Sequence, residues 1–336
     1  MKNETARFHL FIVNPISFSR QADMDALIAR IKDYFAGGTS DASEEQYSVH
    51  ISRFPRDAIR TIRQYARQRQ STVRVYAVGG DGILFDCLNG IAGLENTELA
   101  IVPYGRSNDF VRAFGEDFSR FRDIAAQAAA PVVPTDIIDC GNNYALNTCT
   151  IGMEAYTVHK ATELNTRYKH IWDKLPWGLG RFMYSFMFWL GGVLFVTSHS
   201  STGQQYAVSL DGEDFSGGYT TINIANGPCY GGDKCAAICA APDDGLLDVL
   251  LFKSASRLQI IRMGTRYIYG NYREFPDYII YKRAKVITVR SEKPMVLQLD
   301  GEIFFDTNIK IRIIPAAVRI AAANHAEYER RALLDE

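Results

Sequence analysis

Two glycine-rich segments, each with an acidic residue, follow apolar runs in the first third of the chain. Gly79-Gly80-Asp81-Gly82 follows residues 73–78, and Gly105-Arg106-Ser107-Asn108-Asp109 follows residues 99–102. Because glycine has no Cβ, backbone N–H groups at such turns can close around phosphate oxygens. Asp81 and Asp109 add oxygen ligands of the kind that Mg²⁺ prefers. The pattern predicts nucleotide phosphate binding and phosphoryl transfer.

An Asp-Gly pair on its own usually indicates only a tight turn. Four such pairs occur in the chain, beginning at residues 81, 211, 244 and 300. Asp81 differs because two glycines precede it and a helix-like stretch, ILFDCLNGI, follows it. The partial positive charge of a helix N-terminus favours bound phosphate. At Asp300-Gly301 a hairpin turn and a chemical role for the acid both stay open.

Alternating strands and helices must position the two glycine turns. Residues 8–13 predict a strand, and apolar residues then recur at helical spacing from Leu27 to Phe35, until Gly37-Gly38. Helices near residues 58–66 and 84–91 alternate with the strands that end at Val78 and Val102. This βαβαβ pattern predicts an α/β domain with a parallel sheet.

Strand-like runs dominate the rest of the chain, at residues 144–151, 206–210, 220–225, 247–252, 278–289, 295–299 and 309–314. They predict a mainly antiparallel β-sandwich, interrupted by helical segments near residues 171–196 and 258–269. We therefore expect an α/β domain over residues 1–138 and a β-sandwich domain over residues 139–315. The tail, residues 316–336, has helix-forming composition and is expected to pack back on the first domain.

Composition limits the classes of function. The 336 residues are 47% hydrophobic and 22% charged, as in globular proteins large enough for two domains. A net charge of -1 gives no general attraction to a polyanion, so we expect no nucleic acid partner. The sequence lacks GxSxG and a strand-linked GxGxxG, which argues against a serine hydrolase and a dinucleotide oxidoreductase.

The cysteines and the N-terminal segment bear on location. Six cysteines stand at positions 87, 140, 149, 229, 235 and 239, without a CxxC pair, which argues against a zinc site. The segment MKNETARFHL has no apolar signal-peptide core, so we expect reduced thiols in the cytoplasm. The apolar stretch 182–196 falls short of the about 20 residues that span a bilayer and predicts a buried helix. With Trp177, Arg181 and Trp189 nearby, an interfacial helix is the alternative.

A local basic patch lies in a segment whose only acid is Asp57, and its members are Arg53, Arg56, Arg60, Arg63, Arg67 and Arg69. The arginines at 60, 63 and 67 share a helix face opposite Ile59, Ile62 and Ala66. One interpretation is a solvated helix face whose aliphatic stems cover the edge of the core. The other is an electrostatic dock on anionic lipid headgroups.

Six motifs spread over the chain resemble, in order and spacing, those of the diacylglycerol kinase catalytic family of bacterial lipid kinases, which are related to sphingosine kinases. Asn14-Pro15 with Ser17, GGDGILFDCLNG from residue 79, and PYGRSNDF from residue 103 resemble its three phosphate-loop motifs. NGPCYGGD at 226–233, APDDGLLDV at 241–249 and LDGE at 299–302 resemble its second-domain motifs. Any one of these matches is weak, whereas the ordered set is specific.

The resemblance implies a nucleotide domain of phosphofructokinase-like topology, a β-sandwich lipid domain, and transfer of a phosphoryl group from ATP, with Mg²⁺, to a diacylglycerol-like membrane lipid. It implies that Asp300 is the general base and that Glu302 supports the catalytic metal site. Asp81 would order the Mg²⁺ ion and its waters, and Asp244, with carbonyls near Ala241 and Leu246, would hold a structural Mg²⁺. The implied nucleotide-binding residues are Asn14, Pro15, Ser17, Gly79, Gly80, Asp81, Gly82, Gly105, Arg106, Ser107, Asn108 and Asp109.

The chain departs from the family pattern at three positions. Ile83 stands where a threonine or small polar residue is usual, Phe18 where glycine is usual, and Arg106 where threonine is usual. Arg106 could clamp a phosphate oxygen or point to solvent, and both interpretations stay open. ATP affinity or rate is therefore in question.

Three functions follow for testing. The first is a cytoplasmic, peripherally membrane-associated lipid kinase. The second is an NAD-kinase-like phosphotransferase, and the third is a nucleotide-binding regulatory protein that has lost catalysis. The sequence leaves open the lipid acceptor and the oligomeric state, a homodimer included.

Overall fold

A computed structural model describes residues 7–36, 46–105, 107–115, 117–172, 186–187, 190–197, 203–232 and 234–324. Several residues that carried sequence predictions lie outside the described residues: Arg106, Trp177, Arg181, Trp189 and the end of the tail, 325–336. The predicted helical segment 171–196 is described only in part, and its residues 190–197 are helical.

The first half forms a parallel sheet with helices on both faces, as the sequence predicts. Its strands are β1 (Phe8–Val13), β2 (Tyr47–Ile51), β3 (Val73–Gly79) and β4 (Thr97–Pro103), in the order β4-β3-β1-β2. Helix α1 (Gln21–Ala36) covers one face, while α2 (Asp57–Arg67) and α3 (Asp81–Ile91) cover the other. Two short helices, α4 (Ser119–Arg122) and α5 (Ile124–Ala129), follow β4. Strand β2 was missed because it is a half-exposed strand at the end of this sheet, without a continuous apolar run.

The second half is mainly antiparallel. Its longer strands are β5 (Val132–Asp139), β7 (Thr148–Gly152), β8 (Gln204–Leu210), β10 (Gly217–Ala225), β11 (Leu247–Lys253), β12 (Ile279–Ala284), β13 (Val286–Leu299) and β14 (Glu302–Ala321). Strands β6 (Tyr144–Ala145) and β9 (Glu213–Asp214) are two-residue pairings. The central order is β12-β11-β10-β7-β13-β14. Helices α6 (Met153–Trp172) and α7 (Arg257–Tyr267) follow β7 and β11.

Strand β14 joins the two halves and corrects the prediction for the tail. Residues 316–321, expected to be helical, continue β14, and Ile320 and Ala321 pair in parallel with Leu99 and Ala100 of β4. Val318 and Ile320 are buried in the core of the first half. Helix propensity is outweighed here because β4 offers an unpaired strand edge and the apolar side chains alternate toward the core. Residues 320–321 therefore lie against the first half as a strand of its sheet.

The cysteine prediction is wrong for one pair. Cys229 and Cys235, six residues apart, form a disulfide with their Cα atoms 3.9 Å from each other. The glycines at 231 and 232 have positive φ and turn the chain back on itself between the two thiols, which the spacing alone did not reveal. Cys87, Cys140, Cys149 and Cys239 are free. Within the described ranges, no helix has both the length and the apolar character needed to cross a bilayer.

Candidate active site

The two predicted glycine turns touch each other through their main chains. The N–H groups of Tyr104 and Gly105 both donate to the carbonyl oxygen of Gly79, each at 2.9 Å. A Cβ added at Gly105 would lie 2.2 Å from the Cα of Gly80. Because β3 and β4 are parallel neighbours, their C-terminal ends bring both turns to the same edge of the sheet.

The segment Asn14–Ser17, the first of the three phosphate-loop motifs, lies against the first glycine turn. The Asn14 side chain accepts from Ile16 N at 3.1 Å and caps the short 3-10 helix Pro15–Ser17. A Cβ added at Gly79 would be 2.8 Å from Ser17 Oγ and 3.2 Å from Asn14 Cβ. The structure therefore brings Asn14, Pro15 and Ser17 together with the glycine turns.

Asn108 shapes the second turn. Its φ is 50°, its Oδ1 accepts from Gly105 N at 3.0 Å, and its Nδ2 donates to Gly105 O at 2.8 Å. The next residue, Asp109, donates its backbone N–H to Asp81 Oδ1 at 2.8 Å. These contacts fix the two turns relative to each other. Asn108 therefore shapes the second turn through hydrogen bonds to the main chain of Gly105.

Two of the departures from the family pattern are packing residues. The ring of Phe18 stacks on Tyr104 with centroids 4.9 Å apart, directly before the second turn. Ile83 is buried in the core of the first half, and its Cγ2 lies 2.8 Å from the position of a Cβ at Gly79. Both side chains support the loops with apolar contacts, whereas Arg106 is outside the described residues.

A cleft of about 280 Å³ opens beside the turns. Six of the predicted site residues line it: Asp81, Gly82, Ser107, Asp109, Asp300 and Glu302. The first four come from the parallel half; Asp300 lies in the turn between β13 and β14, and Glu302 is the first residue of β14. A Cβ added at Gly82 would lie 3.6 Å from Glu302 Oε1, so the second half of the chain contacts the first glycine turn.

Asp300 is both a turn residue and a carboxylate on the cleft. Asp300 and Gly301 have φ values of 47° and 96° and form the two-residue connection between β13 and β14. The carboxylate accepts from the backbone N–H groups of Leu146 at 2.6 Å, Asn147 at 3.0 Å and Thr148 at 2.8 Å. Burial raises the pKa of Asp300 to about 6; the amide donors oppose this shift, and Asp109 adds to it. This geometry is compatible with both roles that the sequence leaves open for Asp300, a hairpin-turn residue and an acid that takes part in chemistry.

Asp109 bridges the two halves of the molecule. Its carboxylate accepts from Gly231 N at 2.6 Å and Gly232 N at 2.7 Å, in the loop closed by the disulfide. Burial raises the pKa of Asp109, and the two glycine donors oppose that shift. Burial and then the charge of Asp109 raise the pKa of Asp81 to about 7.

The carboxylates of Asp81, Asp109 and Asp300 fit a divalent cation if a bound nucleotide supplies further oxygen ligands. Asp109 and Asp300 raise the pKa of Asp81, and Asp109 raises the pKa of Asp300; a bound cation would oppose these shifts. Over the described part of the chain, no three His, Cys, Asp or Glu side chains converge as a ready-made metal cluster. Mg²⁺ is commonly held by one or two carboxylates plus substrate phosphates, so the residues fit an ion that arrives with a nucleotide.

The predicted structural metal site is separate from this cleft. Asp244 forms an ion pair with Arg283, and its Oδ1 accepts from Leu246 N at 3.0 Å. The adjoining segment is tied to Asp136, whose N–H donates to Pro242 O at 2.8 Å and whose carboxylate accepts from Gly245 N at 2.7 Å. Both oxygens of Asp244 are thus engaged by protein groups, and metal binding by Ala241, Asp244 and Leu246 stays a prediction.

Sequence reasoning missed several polar residues of the cleft, notably Glu154, Tyr230 and Gln298. Tyr230 lies inside the NGPCYGGD motif, but its side chain was not singled out. An acid directly after the end of a strand was the available signal for Glu154, which stands two residues after β7.

The basic patch has the predicted helix geometry. Arg60, Arg63 and Arg67 are exposed on α2, while Ile62 and Ala66 are buried. Arg63 Nη2 donates to Asn89 O at 3.1 Å, and the Arg69 guanidinium lies 3.7 Å from the centroid of Phe8. Packing of Arg69 on the Phe8 ring supports, for that residue, the interpretation that the arginine side chains cover the edge of the core.

Fold and site define a two-domain α/β protein in which two glycine turns share a cleft with carboxylates from a β-rich half. Residues 9–139 match the family model described as the diacylglycerol kinase catalytic domain. Residues 174–322 match the YegS C-terminal NAD kinase beta sandwich-like domain. Residues 9–139 therefore belong to the diacylglycerol kinase catalytic domain family, and residues 174–322 belong to the YegS C-terminal domain family.

Individual relatives agree with this assignment. A Staphylococcus aureus protein (strain Mu3) described as "Putative lipid kinase" is 27% identical over 251 residues, 74% of this chain and 77% of the relative. A solved structure described as "a putative diacylglycerol kinase" from Bacillus anthracis str. Sterne has a TM-score of 0.69 at 21% identity, covering 96% of this chain and 98% of that one. A second from the same organism has a TM-score of 0.69 at 22% identity, with coverages of 95% and 98%. At these identities the structural likeness concerns the fold.

Proposed function

We propose that the protein is a lipid kinase that transfers the γ-phosphoryl group of ATP to the hydroxyl of a diacylglycerol-like lipid. One observation carries the proposal: carboxylates of the second half, Asp300 and Glu302, line the same cleft as both glycine turns. Phosphoryl transfer depends chiefly on positioning and charge neutralisation, and this arrangement offers both. We take residues 1–138 as the nucleotide-binding part and residues 139–315 as the part that receives the lipid.

The glycine turns and the start of α3 would receive the phosphates. Helix α3 begins at Asp81 after Gly80, without a side-chain cap on its first N–H groups. Free amides at a helix N-terminus attract anions. Asp81 and Glu302, which both line the cleft, would hold Mg²⁺, which supplies charge neutralisation on the phosphate oxygens when bound.

Asp300 would accept the proton of the lipid hydroxyl. A pKa of about 6 keeps the carboxylate ionised at neutral pH, so it can take a proton. The three backbone donors from residues 146–148 fix its orientation, and a fixed base needs no reorganisation during the reaction.

The test compares two Asp-Gly turns. Asp300→Asn keeps the turn, since Asn-Gly suits the same backbone, but removes the base. We expect a loss of about 10²- to 10⁴-fold in lipid phosphorylation, with the MgATP-induced thermal shift retained. Asp211→Asn is the matched control: Asp211-Gly212 is also a positive-φ turn, whose carboxylate accepts from Val286 N at 2.8 Å, outside the cleft. Full activity of Asp300→Asn would rule out the proposed base.

The acceptor panel decides between this function and its rivals. The second domain matches a model named for NAD kinase, so NAD belongs in the panel beside the lipids. Phosphorylation of NAD alone would establish the NAD-kinase-like alternative. An MgATP shift without transfer to any acceptor would establish the regulatory alternative. A peripheral location at the cytoplasmic membrane surface, with the exposed α2 arginines on anionic lipid, is part of the same proposal.

A further inference from the structure

Three adjacent strands carry a polar row beneath the cleft. Thr150 of β7 lies in register with Asn223 of β10 on one side and with Gln298 of β13 on the other. All three are buried, at 2%, 0% and 8% exposure. Their sequence neighbours on the opposite face, Ile151 and Leu297 among them, pack into the apolar core of the second half. Strand alternation thus turns one face of this sheet toward the core and the other toward the cleft.

The polar row has spare hydrogen-bonding capacity. Thr150 Oγ1 donates to Gln298 Oε1 at 3.0 Å, while the Oδ1 of Asn223 is buried without a partner. Buried polar groups cost free energy unless they are hydrogen-bonded. Thr150 and Gln298 of this row line the cleft, so a polar ligand there would meet hydrogen-bonding side chains.

Glu154 stands over this row in the first turn of α6. Its Oε1 accepts from Tyr230 OH at 2.5 Å, and its Oε2 has long contacts of 3.4 Å with Thr221 Oγ1 and Asn223 Nδ2. The hydroxyl of Tyr267 also lies beside this carboxylate and lowers its pKa. A carboxylate offers about four lone-pair sites, so Oε2 can accept a stronger donor. Burial raises the pKa of Glu154 to about 7, and the Tyr230 hydrogen bond opposes that shift.

Glu154 and Asp300 lie at neighbouring levels of the same sheet face, two strand residues apart. The N–H of Asp300 donates to Thr148 O, whereas the carboxylate of Glu154 contacts the row that contains Thr150. The two rows are two residues apart, or about 7 Å along a strand. Both acids line the same cleft, so one small polar headgroup could reach both.

We propose that Glu154 selects the acceptor by accepting a hydrogen bond from a second donor, a hydroxyl or a protonated amine, next to the hydroxyl that Asp300 activates. The preferred acceptor is then a lipid whose headgroup has two donors, in contrast to a diacylglycerol, which has one hydroxyl. Val158 and Thr162 extend the same stripe of α6 along the cleft wall and would contact the region beyond the headgroup. This inference rests on the proposed function and narrows its substrate class.

The experiment compares 1-monooleoylglycerol, with two hydroxyls, and dioleoylglycerol, with one, in neutral detergent micelles. Wild-type protein should prefer the first by about 10- to 100-fold in kcat/KM, the range of a hydrogen bond to a charged group. Glu154→Gln places an N–H where the carboxylate accepts, so this preference should disappear through a higher KM for 1-monooleoylglycerol. The ratio of the kcat/KM values for the two lipids is the readout, and the MgATP-induced thermal shift should stay unchanged.

Glu163→Gln is the control, because Glu163 is on the same helix, exposed, and paired with Lys160. An equal preference in wild-type and Glu154→Gln protein would overturn the role of Glu154 while leaving the kinase proposal intact. Absence of transfer to both lipids would refute the kinase proposal instead. In that case the thermal shifts induced by the two lipids decide: a larger shift with 1-monooleoylglycerol that Glu154→Gln abolishes supports the recognition role, and equal shifts overturn it.

Discussion

Replacing Gly105 with alanine tests whether the contact between the two glycine turns builds the nucleotide site. The added Cβ would lie 2.2 Å from Gly80 Cα, 2.8 Å from Gly80 N and 2.9 Å from Asn108 Oδ1. Ordinary contact begins near 3.4 Å, and two of the three obstructing atoms belong to the main chain. The turns must therefore separate by about 1 Å, since no side-chain rotation can relieve the overlap.

The expected effect is large on function and moderate on stability. A displacement of about 1 Å in a positioning element can cost about 10²-fold in rate, so we expect that loss in kcat/KM for lipid phosphorylation. Overpacking of this kind should lower the free energy of unfolding by about 1 to 3 kcal/mol. Phosphate transfer and denaturant unfolding measure these two quantities, and the MgATP-induced thermal shift separately measures nucleotide binding.

Gly264→Ala provides the control. Gly264 lies in α7, and a Cβ there would meet nothing within 4 Å. Because alanine favours a helix over glycine, the control should gain about 0.5 to 1 kcal/mol and retain full activity. A Gly105→Ala protein with the wild-type MgATP shift and transfer rate would show that this contact does not shape the nucleotide site.

Three further outcomes follow from the charges and cross-links. Asp81 has a pKa of about 7, so the native state keeps a proton that the unfolded state loses, and this group lowers stability as pH rises from about 4 to 7. Asp81→Asn should raise the melting temperature of nucleotide-free protein at pH 8 but not at pH 4, and should weaken the MgATP shift. Cys229→Ser should lower the free energy of unfolding by about 2 to 4 kcal/mol in denaturant titrations without reductant, unlike Cys239→Ser at a free thiol. Binding to anionic vesicles at low salt should weaken by about 1 kcal/mol per arginine replaced by glutamine at Arg60, Arg63 and Arg67, and unchanged binding would contradict the dock.

Local backbone chemistry explains which parts of the site could be predicted. Glycine turns after apolar strands are short-range features, and parallel pairing of β3 and β4 then places both turns at one edge of the sheet. Asn14 and Ser17 follow the neighbouring strand β1, so they reach the same edge. The βα alternation in the first half therefore predicted the elements other than strand β2, together with the meeting point of these loops.

Long-range pairing explains what the sequence did not reveal. The strand at residues 316–321 depends on the free edge of β4, more than 200 positions earlier in the chain, and helix propensity carries no information about that edge. Glu154 became a cleft residue only through its contacts with Tyr230 and Asn223, which lie on other elements. The disulfide likewise depends on a fold of the chain between its two cysteines.

The two Asp-Gly turns at 211 and 300 show why local sequence cannot assign chemistry. Both aspartates have positive φ, near 49° and 47°, and both carboxylates accept backbone N–H groups. Asp211 is exposed at the turn between β8 and β9. Asp300 faces a cleft where burial and the charge of Asp109 raise its pKa to about 6. Since the turn itself is the same, any difference in reactivity between the two must come from the surrounding charges and burial, which the tertiary fold sets.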